Sequence, residues 1–435
     1  MVFNSVPLGE LLDDKGYIRG PFGSALKRAD MHESGIPVYE QQHAIDGHRN
    51  FRYFIQDNKL QKLSRFQVKP NDLIISCSGT VGRISIISDN DPIGIISQAL
   101  LILRVNKEKL LPDFLYYFLI SPVGKRELIN ASQGAVQQNI APRAVVEKIE
   151  IPLPDLSKQR QIINQLKSID NKRKNNTEIN QTIEEVAQAI FKSWFVDFDP
   201  VKAKMNGEKP EGMDTATAEL YPNKLVESEF GLIPEGWKIG NIGDIADLNA
   251  SSWTKKNPPT TVNYVDLANT KNGVIEAVTR YKFEEAPSRA RRVLNSGDTI
   301  VGTVRPGNRS FAYIGNTEQQ LTGSTGFAVL TPKEEYWSSF VYLATTNDDS
   351  IDRYAHLADG GAYPAIKPKV VTETNCAIPI KEIAEKFWEI SSLLLKQIHQ
   401  NRMENQNLIE LRNTLLPKLL SGELTLTNEE LTDES

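Results

Sequence analysis

The sequence predicts an α+β chain of two tandem mixed α/β domains. Each is followed by a long helix, and the two helices are expected to pair as an antiparallel coiled coil with pseudo-two-fold symmetry. Three observations support this. One globular unit is written twice at a nearly constant distance, a long stretch with near-heptad apolar spacing follows each copy, and a polar segment rich in proline separates the copies.

The duplication is read from matched landmarks. Asn71-Asp72-Leu73-Ile74-Ile75 corresponds to Ser296-Gly297-Asp298-Thr299-Ile300-Val301, with Asp72 on Asp298. Gly134 then falls on Gly360, Pro152 on Pro379 and Ile190 on Leu416, each pair 226 or 227 residues apart. Such a shift marks a duplicated globular part with its helix, not a short-period solenoid.

In the first copy, residues 1–157, the β-rich runs are Leu73–Ser76, Arg83–Ser88 and Leu100–Val105, bounded by Gly, Asn, Asp and Pro; Asp113–Leu119 and Pro122–Ile129 read as short helices. Residues 158–198 form the first long helix. Its seam runs Ile162, Leu166, Ile169, then Arg173, Asn176 and Asn180, then Ile183, Ala187, Ile190 and Trp194, in steps of three and four. Asp155 or Ser157 is placed to cap its start, and Asp199-Pro200 to stop it. Roughly forty residues at about 1.5 Å each make a rod of about 60 Å.

Residues 199–231 are polar and carry Pro200, Pro210 and Pro222, which predicts an extended connector. About 33 residues at about 3.3 Å each reach about 110 Å, enough to return along such a rod. In the second copy, residues 232–380, the strand places are Thr299–Val304, Ser310–Ile314 and Gly326–Leu330, and Trp337–Thr345 takes the helical place. The second long helix, 381–420, is expected to use the seam Phe387, Ile390, Leu394, Gln397, Asn401, Glu404, Leu408, Leu411 and Leu415. Both rods thus have apolar ends and a polar waist, a device that fixes the register of a helix pair. Residues 421–435 form an acidic tail.

Composition excludes several classes. No run approaches the roughly 18 apolar residues of a membrane span, and the N-terminus lacks the basic start and apolar core of a signal peptide. Cys77 and Cys376 lie too far apart in sequence to suggest a disulfide framework or zinc motif, so a reducing cytoplasm is the default. The net charge of −5 argues against a strongly basic domain. The acidity is concentrated in the connector and tail, however. Residues 1–157 carry 18 basic against 17 acidic side chains, and 158–198 carry 7 against 5.

Catalytic patterns are incomplete. Asn257-Pro258-Pro259-Thr260 is similar to the Asn-Pro-Pro-aromatic loop of amino-methyltransferases, but Thr260 stands where an aromatic would stack on the target base. No glycine-rich cofactor loop follows a strand. Gly302–Ser310 lacks the lysine of a phosphate-binding loop. His43, Asp46 and His48 have no partner motif that would make them metal ligands.

What remains is a set of polar loops whose side chains suit base edges and phosphates. Arginine matches guanine, and glutamine or asparagine matches adenine, bidentately; glycine lets backbone N–H groups approach phosphate. The first copy offers Arg19, Ser24, Lys27, Gln42, His43, Ser78, Arg83, Gln137, Gln138 and Asn139. The second offers Lys255, Lys256, Asn257, Arg305, Asn308, Arg309, Ser324, Tyr363 and Lys367. Equivalent loops with different side chains could read two different half-sites. The plain alternative is that each is an ordinary solvated loop. Phe191, Trp194, Phe195, Leu415, Leu416 and Leu419, at the rod ends, are expected to exceed what a two-helix seam buries and to face partner subunits.

The layout resembles the specificity subunit of type I restriction–modification systems. The resemblance runs through RGPFGSALK (Arg19–Lys27), FKSWFVDFDPVKAKMNGEKPEGM (Phe191–Met213), LVESEFGLIPEGWK (Leu225–Lys238) and LRNTLLPKLLSGEL (Leu411–Leu424). It implies two target-recognition domains separated by an antiparallel helix pair, double-stranded DNA as ligand, no membrane, and no catalysis or cofactor in this chain. It also implies two modification subunits that hold S-adenosylmethionine and methylate adenine N6, and restriction subunits that use ATP and Mg²⁺. With little net positive charge, DNA binding by the lone chain is expected to be weak. A stand-alone DNA methyltransferase and a coiled-coil protein scaffold without a DNA role remain the alternatives. Bound S-adenosylmethionine would favour the former, and failure to retain DNA with a modification subunit the latter.

Overall fold

The strand Leu73–Ser76 is buried along its whole length. Its odd and even residues enter different cores. Leu73 and Ile75 pack with Phe114, Leu115 and Leu128, whereas Ile74 packs with Val38, Ile87 and Ile95. A strand covered on both faces reads as a continuous apolar run, which is how the sequence shows it. The computed structural model describes residues 3–129, 139–229, 231–358, 361 and 363–424. They divide into two compact units, the first running to Lys174 and resuming at Asn405, the second spanning Asn175–Glu404.

In the first unit a four-stranded antiparallel sheet has the order Leu12–Arg19, Leu100–Val105, Leu73–Ser76, Ile84–Ile86. A second sheet joins Phe54–Ile55, Ile36–Tyr39 and Ile95–Ile96, the last two in parallel with Val38 opposite Ile95. Helices Pro112–Ile120 and Pro122–Ile129 cover the first sheet. The first and last strands, Ser5–Pro7 and Glu150–Pro152, close the domain.

The second unit repeats this plan. Its four-stranded sheet runs Ala246–Leu248, Phe327–Pro332, Thr299–Gly302, Phe311–Tyr313. Its other sheet pairs Thr261–Val265 in parallel with Leu321–Ser324, Asn263 opposite Leu321. Lys238–Asn241 and Asn375–Ile378 form the closing ladder. Even the hinge between the short helices repeats. Ser121 Oγ accepts from Gly124 N at 3.1 Å, and Asn347 Oδ1 from Ser350 N at 2.8 Å, 226 residues on.

The matched aspartates behave differently. Each accepts a turn N–H, from Lys69 in the first unit and Asn295 in the second, at 2.7 Å. Asp72 also takes a two-pronged contact from Arg104, with both bonds at 2.7 Å. Asp298 has no arginine, and its Oδ1 is buried without a hydrogen-bond partner. Burial raises both carboxyls, and that of Asp298 goes from 3.8 to about 6 against the opposing Asn295 N–H and Thr331 hydroxyl. A carboxyl whose folded pKa is raised contributes stability below its unfolded pKa, and that contribution is lost as pH rises through about 6. A shift of about two units corresponds to roughly 3 kcal/mol. Asp298→Asn keeps an acceptor for Asn295 and is expected to raise the melting midpoint of the second unit at about pH 7.5, with little effect near pH 4. A pH series of thermal melts checks this; a lower midpoint at neutral pH would sink it.

The long helices span Leu156–Phe195 and Lys381–Ser421. Asp155 caps the first, its Oδ1 accepting from Lys158 N at 2.9 Å. In the first unit their segments pair through Asp170 and Arg412 at 3.0 Å, and through Arg173 O and Asn405 Nδ2 at 3.3 Å. In the second, Asn176 donates to Glu404 at 2.7 Å and Asn401 to Asn180 at 2.8 Å. Rising numbers on one helix meet falling numbers on the other, so the pairing is antiparallel. The expected polar waists meet, and Asn176 and Asn401 are both buried.

Three expectations are corrected. Residues 199–231 are not an extended connector. Phe198 adopts left-handed backbone, ending the first long helix. Pro200 then sits in the first turn of a new helix, Asp199–Met205, where a missing N–H costs nothing. Helix Thr215–Leu220, capped by Asp214, and a hairpin of Leu225–Ser228 with Gly231–Pro234 follow. Val201, Met213, Ala218 and Tyr221 are buried in the second unit's core.

The seam of the second long helix also differs. Ile390 and Leu411 are exposed, while Ser391, Leu395 and Ile398 are buried. The helix packs on its own domain as well as on its partner: Ser391 Oγ lies 2.6 Å from Ser339 Oγ of the domain helix Ser338–Thr346. That widens the buried stripe beyond a two-helix seam.

Finally, Phe191, Trp194, Phe195, Leu416 and Leu419 are buried in the cores, and Leu415 is half-buried against one. They fasten the helices to the chain's own domains and present no docking surface.

Candidate nucleic-acid interface

In the second unit, strand Thr299–Gly302 runs into a loop that returns at Ser310, where Gly302 N donates to Ser310 O at 2.7 Å. The turn forces Arg305 and Arg309 into left-handed backbone, with φ of +48° and +59°. The sequence kept this loop apart from the one at residues 359–367, but the structure joins them. Arg305 N donates to Pro364 O at 2.8 Å and Ile366 N to Thr303 O at 2.9 Å. The Arg305 guanidinium consequently lies 5.3 Å from the ring centre of Tyr363, which is 75% exposed. An exposed aromatic with an arginine over it suits base stacking and phosphate or guanine contact. Asn308 and Lys367 are exposed on the same two loops. Arg309 is held in place, its Nε donating to Asn272 at 2.9 Å and its Nη2 lying 2.7 Å from Asp348.

A third loop carries Lys255, Lys256 and Asn257, all exposed, with Asn257 Oδ1 accepting from Thr254 N at 2.9 Å. Its neighbour Trp253 donates its backbone N–H to Arg291 O at 2.8 Å, which ties the loop to the strand Ala290–Leu294. That strand adds basic candidates beyond those read from the loops. Arg289 is exposed at its start, and Arg291 stacks over Phe283 at 4.7 Å. The run Arg289-Ala290-Arg291-Arg292, dense in charge, was the readable signal. Ser324 is buried, and its Oγ accepts from Gly326 N at 3.2 Å, so it is removed from the candidates.

In the first unit the loop from Ser76 to Arg83 makes the corresponding turn, with Ser76 N donating to Arg83 O at 2.9 Å. Here glycines, Gly79 and Gly82, hold the positive φ values. Ser76 Oγ braces the loop by donating to Thr80 O at 2.6 Å and accepting from Arg83 N at 2.9 Å. Ser78 and Arg83 are exposed. Gln41 donates through Nε2 to Ser78 O; its neighbour Gln42 is half-buried. Arg19, half-buried at the end of Leu12–Arg19, reaches Cys77, whose thiol burial pushes up to about 12. Lys27 and Asn139 are exposed, and Ser24 lies in the turn Gly23–Ala25. Gln137 and Gln138 lie outside the described residues.

His43 is corrected. It is fully buried, with Nδ1 accepting from Glu40 N at 2.7 Å and Nε2 lying 3.0 Å from Asn50 O. Both ring nitrogens are occupied inside the fold, leaving none for a base or a metal. Among the described residues no group of three or more His, Cys, Asp or Glu is placed to hold a metal ion, and no helix is long and apolar enough to cross a membrane. A groove lined by Ile84, Ile86, Asp113, Tyr116 and Lys167 gathers polar groups, but Asp113 and Lys167 satisfy each other at 2.8 Å.

Comparison with known proteins agrees across nearly the whole chain. The family model "Type I restriction modification DNA specificity domain" matches twice, at residues 25–185 and 234–411. The HindI specificity subunit of Haemophilus influenzae is 25% identical over 384 residues, covering 76% of this chain and 81% of that one. The MjaIX specificity subunit of Methanocaldococcus jannaschii is 23% identical, covering 86% and 84%. Among solved structures, the S subunit of a type I system from M. genitalium shares the fold, with a TM-score of 0.52, 16% identity, and 98% and 97% coverage.

Proposed function

Because the chain belongs to the type I restriction–modification DNA specificity family, we propose that its two recognition domains, within residues 1–157 and 232–380, each read one half of a bipartite, asymmetric DNA target with an unread gap between the halves. The chain is a DNA-recognition subunit without catalysis of its own. Catalysis belongs to the subunits it gathers: two modification subunits carrying S-adenosylmethionine and, through them, restriction subunits using ATP and Mg²⁺, in the cytoplasm. One observation carries the two-reader reading. Each unit presents the same strand–loop–strand frame, and the side chains on it differ, with Gly79 and Gly82 in one and Arg305 and Arg309 in the other. A shared frame with independent loops separates what is read from how it is held. Partner docking has other apolar candidates on the long helices, since Ile179, Val186, Ile390 and Leu393 are exposed.

The test exchanges residues 1–157 for the equivalent segment of a relative and sequences the methylome of a host carrying the cognate modification subunit. One half of the methylated motif is expected to change while the other stays. A change in both halves, or in neither, would defeat the reading.

A further inference from the structure

In each unit a short turn emerges from buried strands between the loops described above. In the first unit Ile95–Ile96 leads through Ser97, Gln98 and Ala99 into Leu100–Val105. In the second, Leu321–Ser324 leads through Thr325 and Gly326 into Phe327–Pro332. The flanking residues Ile95, Ile96, Leu100, Leu321, Ser324 and Phe327 are all buried. At the tips, Gln98 and Thr325 are exposed.

The tips are pinned by equivalent bonds. Cys77 N donates to Ala99 O and Thr303 N to Gly326 O, both at 2.8 Å. On the far side of the first tip, Ser97 N donates to Tyr39 O at 2.8 Å and Gly20 N to Leu100 O at 3.0 Å. A Cβ on Gly20 would lie only 2.0 Å from Ser97 O, so the two backbones touch and Arg19 is brought beside the tip. On the far side of the second, Thr325 N donates to Arg289 O at 2.8 Å. Each tip is therefore held between a basic residue on one side, Arg19 or Arg289, and the loop bearing Ser78 or Arg305 on the other.

We propose that Gln98 and Thr325 are specificity-determining residues, each reading one base pair of its own half-site. This rests on the two-reader function proposed above. The Gln98 amide offers one donor and one acceptor, the pair that matches adenine N6 and N7. Thr325 offers a methyl group that suits the thymine C5-methyl. Rigid strands hold both tips, so little conformational freedom is lost on docking. Ser324 is buried at the end of its strand, whereas Thr325 is exposed in the turn that follows it.

The experiment uses the full chain assembled with its modification subunit, read out by methylome sequencing. The unaltered chain comes first; if it yields no bipartite motif, the functional reading fails, whatever the variants do. With a motif in hand, Gln98→Ala is expected to relax discrimination at one position of one half-site by about tenfold or more, and Thr325→Ala at one position of the other. Gln98→Glu, which keeps acceptors but loses the donor, is expected to move preference at that position from adenine towards cytosine. Thermal midpoints should stay unchanged, since both side chains are exposed. A motif unchanged at every position overturns the proposal. So does a uniform loss at all sites with a weaker salt dependence, the mark of a phosphate contact.

Discussion

Arg305→Gly is expected to leave the protein as stable as before, or more so, while it stops discriminating at part of its target. The two effects separate because Arg305 bears strain. Its φ of +48° lies in the left-handed region, which costs a residue with a Cβ roughly 1–2 kcal/mol. The first unit meets the same demand with Gly79 at φ +64°. Glycine removes the strain and loses about 0.5–1 kcal/mol in chain entropy, so the net change is between zero and a gain of about 1.5 kcal/mol. A strained residue on an exposed loop signals function rather than stability. If the guanidinium above Tyr363 grips a guanine, its loss costs about 1–3 kcal/mol of discrimination at one position of the half-site read by the second domain. Arg309→Ala should act more broadly, because Arg309 also ties Asn272 and Asp348 to the loop. Thermal melts and methylome sequencing of the same preparations test both parts. A clear fall in melting midpoint with an unchanged motif would show that Arg305 serves the fold instead.

Phe195→Ala should unfold the second unit long before it affects partner binding. Phe195 is 4% exposed. Its ring centre lies 4.8 Å from Phe387, 4.9 Å from Phe340, 5.4 Å from Phe191 and 5.8 Å from Trp237. The cluster joins the end of one long helix, the start of the other and a domain helix. Truncating such a ring costs about 3–5 kcal/mol, a large fraction of what holds a domain together. Phe195→Asp adds the burial of an unpaired charge and is expected to yield no folded second unit. Leu419, 1% exposed in the first unit's core, should behave alike at about 2–5 kcal/mol when cut to alanine. Urea unfolding of the isolated chain measures this. A Phe195→Ala chain of unaltered stability that has lost its modification subunit would return these residues to a docking role.

The long helices and the repeat were legible because they rest on signals spread over many residues. Heptad spacing accumulates over ten turns, and one wrong position does not erase it. Single-residue assignments failed where a second surface intervened. Ile390 fits a two-helix seam, yet it is exposed because packing on the domain helix turns the buried stripe towards Ser391 and Ile398. Asp199-Pro200 stops a helix and equally starts one, and only the left-handed Phe198 before it decides which. His43 lies among polar residues in sequence; its bond from Glu40 N is a local helix-capping contact, but its burial comes from packing against Tyr39 and Phe51, which the polarity of the segment does not show. Loops at the candidate interface could be found by composition. That residues 303–305 and 364–366 form one platform depends on strand pairing across about sixty residues, which composition does not encode.

The first unit is discontinuous in sequence. Its core contains Leu8, Leu11 and Ile151 from the beginning of the chain, and Leu416, Leu419 and Leu420 from near the end. The second unit is a single unbroken segment. During synthesis the order of completion is thus inverted. The domain that leaves the ribosome first must wait, with part of its apolar surface uncovered, while the second is made and folded. Its own last helix turn arrives only after the second unit has been made, so a chain cut short after the second unit carries a reader that was started first and never closed.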